Sequence, residues 1–350
     1  MNNKTVFILG AGFSYPASIP LQGHLLKEIL NYKSDDYTEG PVLIAQNALK
    51  NFIIELFGKQ KNIILEDIFT ILDRGVIGKE RFKDYTWQKL YEIRGQLVYL
   101  ILFIISKRMK SVPEKVKNIY ISFCKKIIQM RRSHGQKSDT IAVISSNWDT
   151  LFEIFINQAF NNKQRLDMGI DYCAYTHFFH DGGISHTNLK TTGIFNIKLL
   201  KLHGSLNWLY CSSCGRLYVD DKDNIGIQNK ECSFCKTSSK IPNLILEPLI
   251  ITPTFLKEFT NLHIKNIWQN AFIELQGASN VIFIGYSLPL ADFEFKYFLK
   301  KGIRKSANIQ AVLSNKDKTN GTKKRYLSFF GKEKVSFDFN ELEGWLRSNL

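Results

Sequence analysis

Four cysteines form the pattern in this sequence with the most definite chemistry. They occur as two C-x2-C pairs, Cys211 with Cys214 and Cys232 with Cys235. Two such pairs at this separation are typical of a zinc ribbon, in which four thiolates surround one Zn²⁺ ion. Four thiolates fill the tetrahedron and leave no open coordination position, so the pattern predicts a structural zinc. The alternative is that the four thiols stay reduced and bind no metal.

A histidine, His203, precedes the first cysteine pair in the segment LLKLHGSLNWLYCSSCG, residues 199–215. Three roles fit that position: a buried core residue, a third metal ligand and a catalytic base. Because four cysteines already complete the zinc site, His203 is not needed as a ligand. An imidazole exchanges protons close to neutral pH, which suits a general base. The choice between core residue and base depends on what else lies near the end of this apolar run.

Two other apolar runs also end in residues that can do chemistry. GAGFS brings Gly10, Ala11, Gly12 and Ser14, which predict either a tight structural turn or a loop whose N–H groups approach a phosphate. The third glycine of the full dinucleotide motif is absent. SSNWD brings Asn147 and Asp149, which act either as caps of the following helix or as polar groups of a site.

The segment GYSLPLAD follows a later apolar run and has the same two interpretations. Gly285 and Ser287 are candidate site residues, whereas Asp292 is a candidate helix cap after a plain turn. Asn315, in VLSN, ends the next run.

The elements before these motifs are typical of a parallel α/β sheet. Short runs rich in β-branched residues predict buried strands; they are KTVFILG, DTIAVIS, FNIKLLK, SNVIFIG, ANIQAVL and KVSFDF. Ligands of open parallel sheets bind at the carboxyl ends of the strands, so one shared pocket is expected there. The shared pocket favours the base over the core residue for His203. Apolar residues recur every three or four positions through residues 47–129, which predicts a large helical insertion.

The predicted fold class is therefore α/β, a Rossmann-like parallel sheet with a helical insertion and a small four-cysteine zinc-ribbon module. The sheet domain comprises residues 1–46, 130–206 and 241–350. Residues 47–129 form the insertion, and residues 207–240 form the zinc ribbon.

Composition limits the class of protein. The chain has 350 residues, 44% of them hydrophobic, and 47 Lys and Arg against 32 Asp and Glu, for a net charge of +15. Scattered basic clusters at residues 107–110, 131–132 and 323–325 are typical of a solvated surface, although an anionic partner also fits. The apolar core at residues 97–105 is about half the length of a membrane span, so we expect a buried helix, no membrane partner and a cytoplasmic protein.

Five motifs together resemble the sirtuin family of NAD-dependent enzymes, which combine a Rossmann-like domain with a zinc module. GAGFS, SSNWD, LHGS, GYSL and VLSN follow the order of the family's motifs. The resemblance implies that NAD+ is bound with its pyrophosphate on the GAGFS loop and its riboses near Gly285, Ser287 and Asn315. It implies that His203 is the base, that Asn147 holds a water or a ribose hydroxyl, and that Asp149 binds the nicotinamide amide or ribose.

Departures from the family pattern point to a subgroup. The Asp-Phe-Arg triplet is missing after the glycine loop, the helical insertion is larger than a deacylase requires, and no acyl-lysine groove is recognisable in ILEPLIITPTFLKEF, residues 245–259. In these respects the chain resembles the sirtuin-like NAD hydrolases of bacterial antiphage defence. That resemblance implies hydrolysis of NAD+ to nicotinamide and ADP-ribose, and depletion of NAD as the means of defence.

Two alternative functions stay open. One is an NAD-dependent protein-lysine deacylase. The other is a basic nucleic-acid-binding or scaffold protein with a vestigial NAD pocket, which the interleaved residues Arg325, Tyr326, Phe329 and Phe330 favour.

Hydrolysis of NAD+ without control would harm the host, so we expect regulation. The candidate partners are further copies of the chain, a partner ATPase or another defence subunit, docked on the helical insertion. A nucleic-acid partner is compatible with the charge but is not required.

Overall fold

A computed structural model describes most of the chain. The described residues are 4–33, 39–58, 63–133, 135, 139–174, 176–178, 187–188, 195–220, 230–255, 260–289 and 292–349.

The main sheet contains seven described strands, and every neighbouring pair is parallel. The strands are β1 (Thr5–Leu9), β2 (Ile141–Ser145), β3 (Ile170–Asp171), β6 (Ile197–Lys201), β10 (Asn280–Ile284), β11 (Asn308–Val312) and β12 (Val335–Asp338). Their order is β12-β11-β10-β1-β2-β6-β3, so the chain leaves β1 to one side and later returns to its other side. This reversal is the switch point at which open α/β sheets bind ligands. The predicted fold class is confirmed.

Six helices lie between β1 and β2 among the described residues. They are α1 (Ala11–Ser14), α2 (Gln22–Asn31), α3 (Gly40–Phe57), α4 (Leu65–Gly78), α5 (Trp87–Met109) and α6 (Glu114–Arg132). Helix α3 begins at Gly40, before the predicted start of the insertion at residue 47, because Pro41 suits the first turn of a helix. The apolar stretch at residues 97–105 is the buried middle of α5. Within the described part of the chain, no helix combines the length and apolar character needed to cross a membrane.

The remaining helices cover the sheet or connect its strands. They are α7 (Leu151–Ala159), α8 (Gln164–Asp167), α10 (Leu262–Gly277), α11 (Phe293–Gly302), α12 (Thr322–Phe330) and α13 (Glu341–Asn349). Strands β1 and β2 are buried along their whole length, which explains their continuous apolar sequences.

A second sheet, which the sequence did not predict, carries the cysteines. Its strands are β4 (Thr176–Phe178), β5 (Thr187–Asn188), β7 (Gly204–Tyr210), β8 (Leu217–Val219) and β9 (Glu247–Ile250), in the order β5-β4-β8-β7-β9. Strand β7 starts three residues after β6 ends, so the aromatic patch after His203 is a strand. The predicted zinc ribbon consists here of the β7–β8 hairpin and helix α9 (Ser233–Thr237); its residues 221–229 lie outside the described ones.

Four charged side chains join the amino ends of the central strands. Lys198 donates hydrogen bonds to Asp139 and to Glu274, and Lys4 forms ion pairs with the same two carboxylates. Burial raises the pKa of Asp139, but hydrogen bonds and charge from Lys198 and Lys4 outweigh it and leave that pKa lowered. This cluster lies at the edge of the sheet opposite the candidate site.

Candidate functional site

The carboxyl ends of four neighbouring strands lie at one level of the sheet. Leu9 of β1 is paired with Ser145 of β2 and with Ile284 of β10, and Ser145 is paired with Lys201 of β6. The motif SSNWD begins at Ser145 itself, and GAGFS, LHGS and GYSL begin at the residue directly after Leu9, Lys201 and Ile284. The fold therefore brings together the four motifs that the sequence assigned to one pocket.

Three buried polar side chains connect the loops after β1 and β2. The Ser14 hydroxyl donates to Asp149 Oδ2 at 2.7 Å. The Asn147 amide Nδ2 donates to the Gly10 carbonyl at 2.9 Å and to Ser14 Oγ at 3.0 Å. A buried carboxylate that accepts a hydrogen bond from a hydroxyl group is held in one orientation.

The helix-capping alternative applies to Asp149 in part and not to Asn147. Asp149 Oδ1 accepts the Leu151 N–H at 3.2 Å, at the start of α7, while its other oxygen accepts from Ser14. Asn147 instead directs its amide toward the GAGFS loop. Asp149 is therefore both a helix-end acceptor and a member of the polar cluster.

The glycines of the first loop allow two backbones to touch. Gly10 N–H donates to Ile284 O at 3.0 Å, and Gly12 N–H donates to Gly285 O at 2.8 Å. A Cβ atom on Gly12 would lie 2.8 Å from the Gly285 Cα, so only glycine permits this approach. These two N–H groups, which the sequence offered to a phosphate, bind protein carbonyls instead. Ala11 is exposed at the tip of the same loop.

His203 lies between β6 and β7 and faces the loop after β2. Its Nδ1 is 3.2 Å from the Ser146 carbonyl oxygen, which is an acceptor, so Nδ1 carries the hydrogen and Nε2 carries the lone pair in the neutral ring. Its own carbonyl accepts the Ile251 N–H at 2.8 Å. The ring is half-buried beside Trp268, with centroids 6.4 Å apart. The described metal-ligand group does not include His203.

The residues after β10 and β11 are less enclosed. Ser287 and Asn315 are exposed, and Arg325 donates to the Ser287 carbonyl at 2.9 Å. The Asp292 carboxylate accepts the Tyr286 hydroxyl at 2.8 Å and forms no side-chain cap on α11. Burial, together with this carboxylate, raises the pKa of Tyr286.

The four zinc-ribbon cysteines come together as predicted. Their Sγ atoms lie within 4.8 Å of one another, with 3.7 Å between Cys211 and Cys235 and 3.6 Å between Cys214 and Cys232. A tetrahedral ion with Zn–S bonds of about 2.3 Å requires sulfurs about 3.8 Å apart. The group therefore has the geometry to hold a metal ion.

The turn after the first cysteine pair is fixed to the main sheet domain. Gly215 adopts φ = +71°, and its N–H donates to the Cys211 carbonyl at 2.9 Å. The Gly215 carbonyl accepts from His263 Nε2 of α10 at 2.7 Å. The cysteine module is thus docked on a helix of the main domain.

The other two cysteines are not part of this group. Burial raises the pKa of both Cys124 and Cys173. A thiol that stays protonated is a poor nucleophile, so neither cysteine is a candidate for nucleophilic chemistry.

Sequence reasoning missed the buried ion pair of Lys201 with Glu153, whose atoms are 2.9 Å apart. A signal was present, because a lysine in an apolar strand and a glutamate in the apolar helix LFEIF each require a partner when buried. It also missed Tyr120 of α6, whose hydroxyl donates to the Phe13 carbonyl of α1 at 2.6 Å and so links the two helices.

The aromatic residues that favoured the nucleic-acid alternative are half-buried or fully buried in the fold. Tyr326 is fully buried and donates to the Tyr286 carbonyl at 2.7 Å. Phe329 and Phe330 are half-buried against the core. A buried ring cannot stack on a nucleotide base, so Tyr326 does not support the nucleic-acid alternative.

Comparison with known proteins gave structural matches only. No protein-family model and no curated protein matches the sequence. Among solved structures, a Sir2 homologue in complex with NAD is 15% identical, with a TM-score of 0.45, over 99% of this chain and 87% of that one. Sir2Tm bound to a propionylated peptide is 15% identical, with a TM-score of 0.40, over 99% and 91%.

Proposed function

We propose that the protein is an NAD+ glycohydrolase that releases nicotinamide and ADP-ribose. One observation carries the proposal: Ser14, Asn147, Asp149 and His203 converge at the carboxyl ends of three adjacent parallel strands, beside the switch point of the sheet. Such a position is where open α/β sheets bind nucleotides. The ordered sirtuin-like motifs supply the identity of the nucleotide.

The reaction needs little from the protein beyond orientation, charge and a base. The bond between nicotinamide and ribose breaks, the electron pair leaves with nicotinamide, and water adds to the ribose carbon with loss of one proton. The developing positive charge on the ribose is stabilised by a nearby carboxylate, which we assign to Asp149. His203 Nε2 takes the proton from water or from a ribose hydroxyl.

Asn147 and Ser14 orient these groups. Asn147 Nδ2 is fixed by Gly10 and Ser14, so its Oδ1 is the atom we assign to a water or a ribose hydroxyl. The Ser14 hydroxyl is engaged with Asp149, so we assign Ser14 to holding the carboxylate. Ala11 of the same loop, with Gly285, Ser287 and Asn315 on the far side, is assigned to the rest of the dinucleotide.

The same proposal includes a bound metal ion, a cellular location and a biological role. The closed four-thiolate group holds a structural Zn²⁺, since it offers no open position for substrate. The hydrolase acts in the cytoplasm in antiphage defence by depleting NAD. Its activity is controlled by assembly of copies of the chain or by a partner such as an ATPase, bound to the helical insertion.

Nicotinamide release tests the activity directly. The purified protein is incubated with NAD+ over a wide range of protein concentrations, with and without an acyl-lysine peptide, and both products are quantified by chromatography. Hydrolase activity predicts equimolar nicotinamide and ADP-ribose without peptide. Release only with the peptide identifies a deacylase instead, and no release in either arm at any protein concentration refutes NAD+ hydrolysis by this chain itself.

Matched variants test the site. His203→Ala is expected to lower kcat by about 10²–10⁴-fold, the usual contribution of a positioned acid or base. Asn147→Ala is expected to lower kcat by about 10²-fold, as for loss of a positioning group. His24→Ala, at an exposed histidine of α2, is the control and should keep full activity. Activity that survives in both site variants would place the chemistry elsewhere.

A further inference from the structure

Lys201 is a fully buried lysine at the end of the strand that leads to His203. Its side chain is 1% exposed, and its ammonium donates hydrogen bonds to the Asp149 carbonyl and to Glu153 Oε1 of α7. One side chain therefore ties together β6, the loop after β2 and the first turn of α7.

Stability alone does not explain this ion pair. Removing two charges from water is costly, and apolar residues of similar volume often serve a fold as well or better. The cost is visible at Glu153, because burial raises the pKa of this carboxyl against the opposing influence of Lys201. An apolar pair would fill the same space but would not hold a carbonyl oxygen.

The held carbonyl belongs to Asp149, whose carboxylate the proposed function assigns to the ribose. With the carbonyl on Lys201 and the carboxylate on Ser14 and the Leu151 N–H, the residue is fixed from both ends. Asn147, two residues earlier, belongs to the same short loop. His203, two residues after Lys201, reaches the loop through the Ser146 carbonyl.

We propose that Lys201, held by Glu153, is a positioning residue that sets the loop of Asn147 and Asp149 relative to His203. The inference rests on the function proposed above, because it assigns Lys201 a role in that reaction. Lys201 is enclosed by protein and acts through the Asp149 backbone, without contact to substrate.

The test replaces the pair together. Lys201→Met alone leaves a buried carboxylate without its cation, so the informative variant combines Lys201→Met with Glu153→Leu, which keeps the volume and removes both charges. The control is Lys198→Met, a lysine of the same strand whose partners lie at the opposite edge of the sheet. Hydrogen exchange of the peptide covering residues 146–153 reports the loop without any need for NAD+.

In the double variant we expect loop amides to exchange at least about tenfold faster, since a held backbone group is released. We expect kcat for nicotinamide release to fall about 10–100-fold while KM for NAD+ changes less than about threefold, as for a misplaced catalytic group. The Lys198→Met control should change neither the loop exchange nor kcat, even if its melting temperature falls.

Two results would overturn the inference: unchanged loop exchange in the folded double variant, or faster exchange with kcat unchanged. Absence of turnover in the wild-type protein is a different outcome. It refutes the proposed function, and with it the role of Lys201 in that reaction, whereas the exchange data still report separately whether the lysine holds the loop.

Discussion

Replacement of Gly285 by alanine should disrupt the contact between the loops after β1 and β10. Gly285 adopts φ = +62°, and its carbonyl accepts the Gly12 N–H at 2.8 Å. An added Cβ would lie 2.2 Å from the Gly12 carbonyl carbon and 2.2 Å from the Phe13 nitrogen. Both neighbours are backbone atoms of the first loop, so neither can rotate out of the way.

The expected cost has three parts. The left-handed conformation costs an L-residue about 1–2 kcal/mol. Forced overpacking of a close contact costs about 1–3 kcal/mol. Separating the loops also breaks the hydrogen bond from Gly12, worth about 0.5–1.5 kcal/mol. The combined loss is about 2.5–6.5 kcal/mol, a large part of the usual stability of about 5–15 kcal/mol.

Urea unfolding followed by circular dichroism measures this loss as a lower midpoint. Gly95→Ala is the matched control, because Gly95 is an exposed residue inside α5 and no atom of the described residues lies within 4 Å of an added Cβ. That control should stabilise the protein by about 1 kcal/mol through helix propensity. If Gly285→Ala costs less than about 1 kcal/mol, the left-handed conformation alone exceeds the loss, and the close approach of the two loops is refuted.

Three further predictions address the rest of the molecule. Metal analysis should find stoichiometric zinc in the wild-type protein and none in Cys214→Ser, because three thiolates no longer complete the tetrahedron; full zinc in the variant would contradict the proposed ligand set. The pKa of Asp139 is lowered in the fold, so this carboxylate stabilises the protein above its unfolded pKa, and the effect is lost as the pH falls through its folded pKa. Asp139→Asn should therefore reduce the fall in the free energy of unfolding at acid pH, and an unchanged fall would contradict this. Asp73 is buried and accepts from Arg94 and Thr252, so Asp73→Asn should lower the free energy of unfolding by about 1.5–3 kcal/mol in urea titrations, and a neutral effect would refute its role.

The strands and the gathering of the motifs were predictable from the sequence because each depends on local patterns. Strands such as β1 and β2 are continuous apolar runs, and parallel strands place their carboxyl ends together whatever their neighbours are. The two C-x2-C pairs were also sufficient, since metal geometry limits how four thiolates can be arranged. In these cases a few residues that are close in the sequence are enough to predict the structure.

The second sheet and the hydrogen bonds of the site were not predictable in this way. Strand β9 pairs with β7, which is distant from it in the sequence, and no local sequence pattern predicts this pairing. The glycine loop suggested a phosphate, yet the Gly10 N–H donates to the last residue of β10 and the Gly12 N–H donates to the loop after it. A glycine pattern indicates that another group comes close to the backbone, but it does not indicate whether that group belongs to a ligand or to another part of the chain.

The two lysines of β6 show why residue type alone does not determine a role. Lys198 and Lys201 are three positions apart, so they point to opposite faces of the strand. Lys198 meets Glu274 of α10 on one face, and Lys201 meets Glu153 of α7 on the other. Each lysine ties the strand to the helix that covers its face, but only Lys201 lies at the carboxyl end, where a shift of the helix also moves Asp149. The same interaction is therefore structural at one end of the strand and, in our proposal, positions the reacting groups at the other.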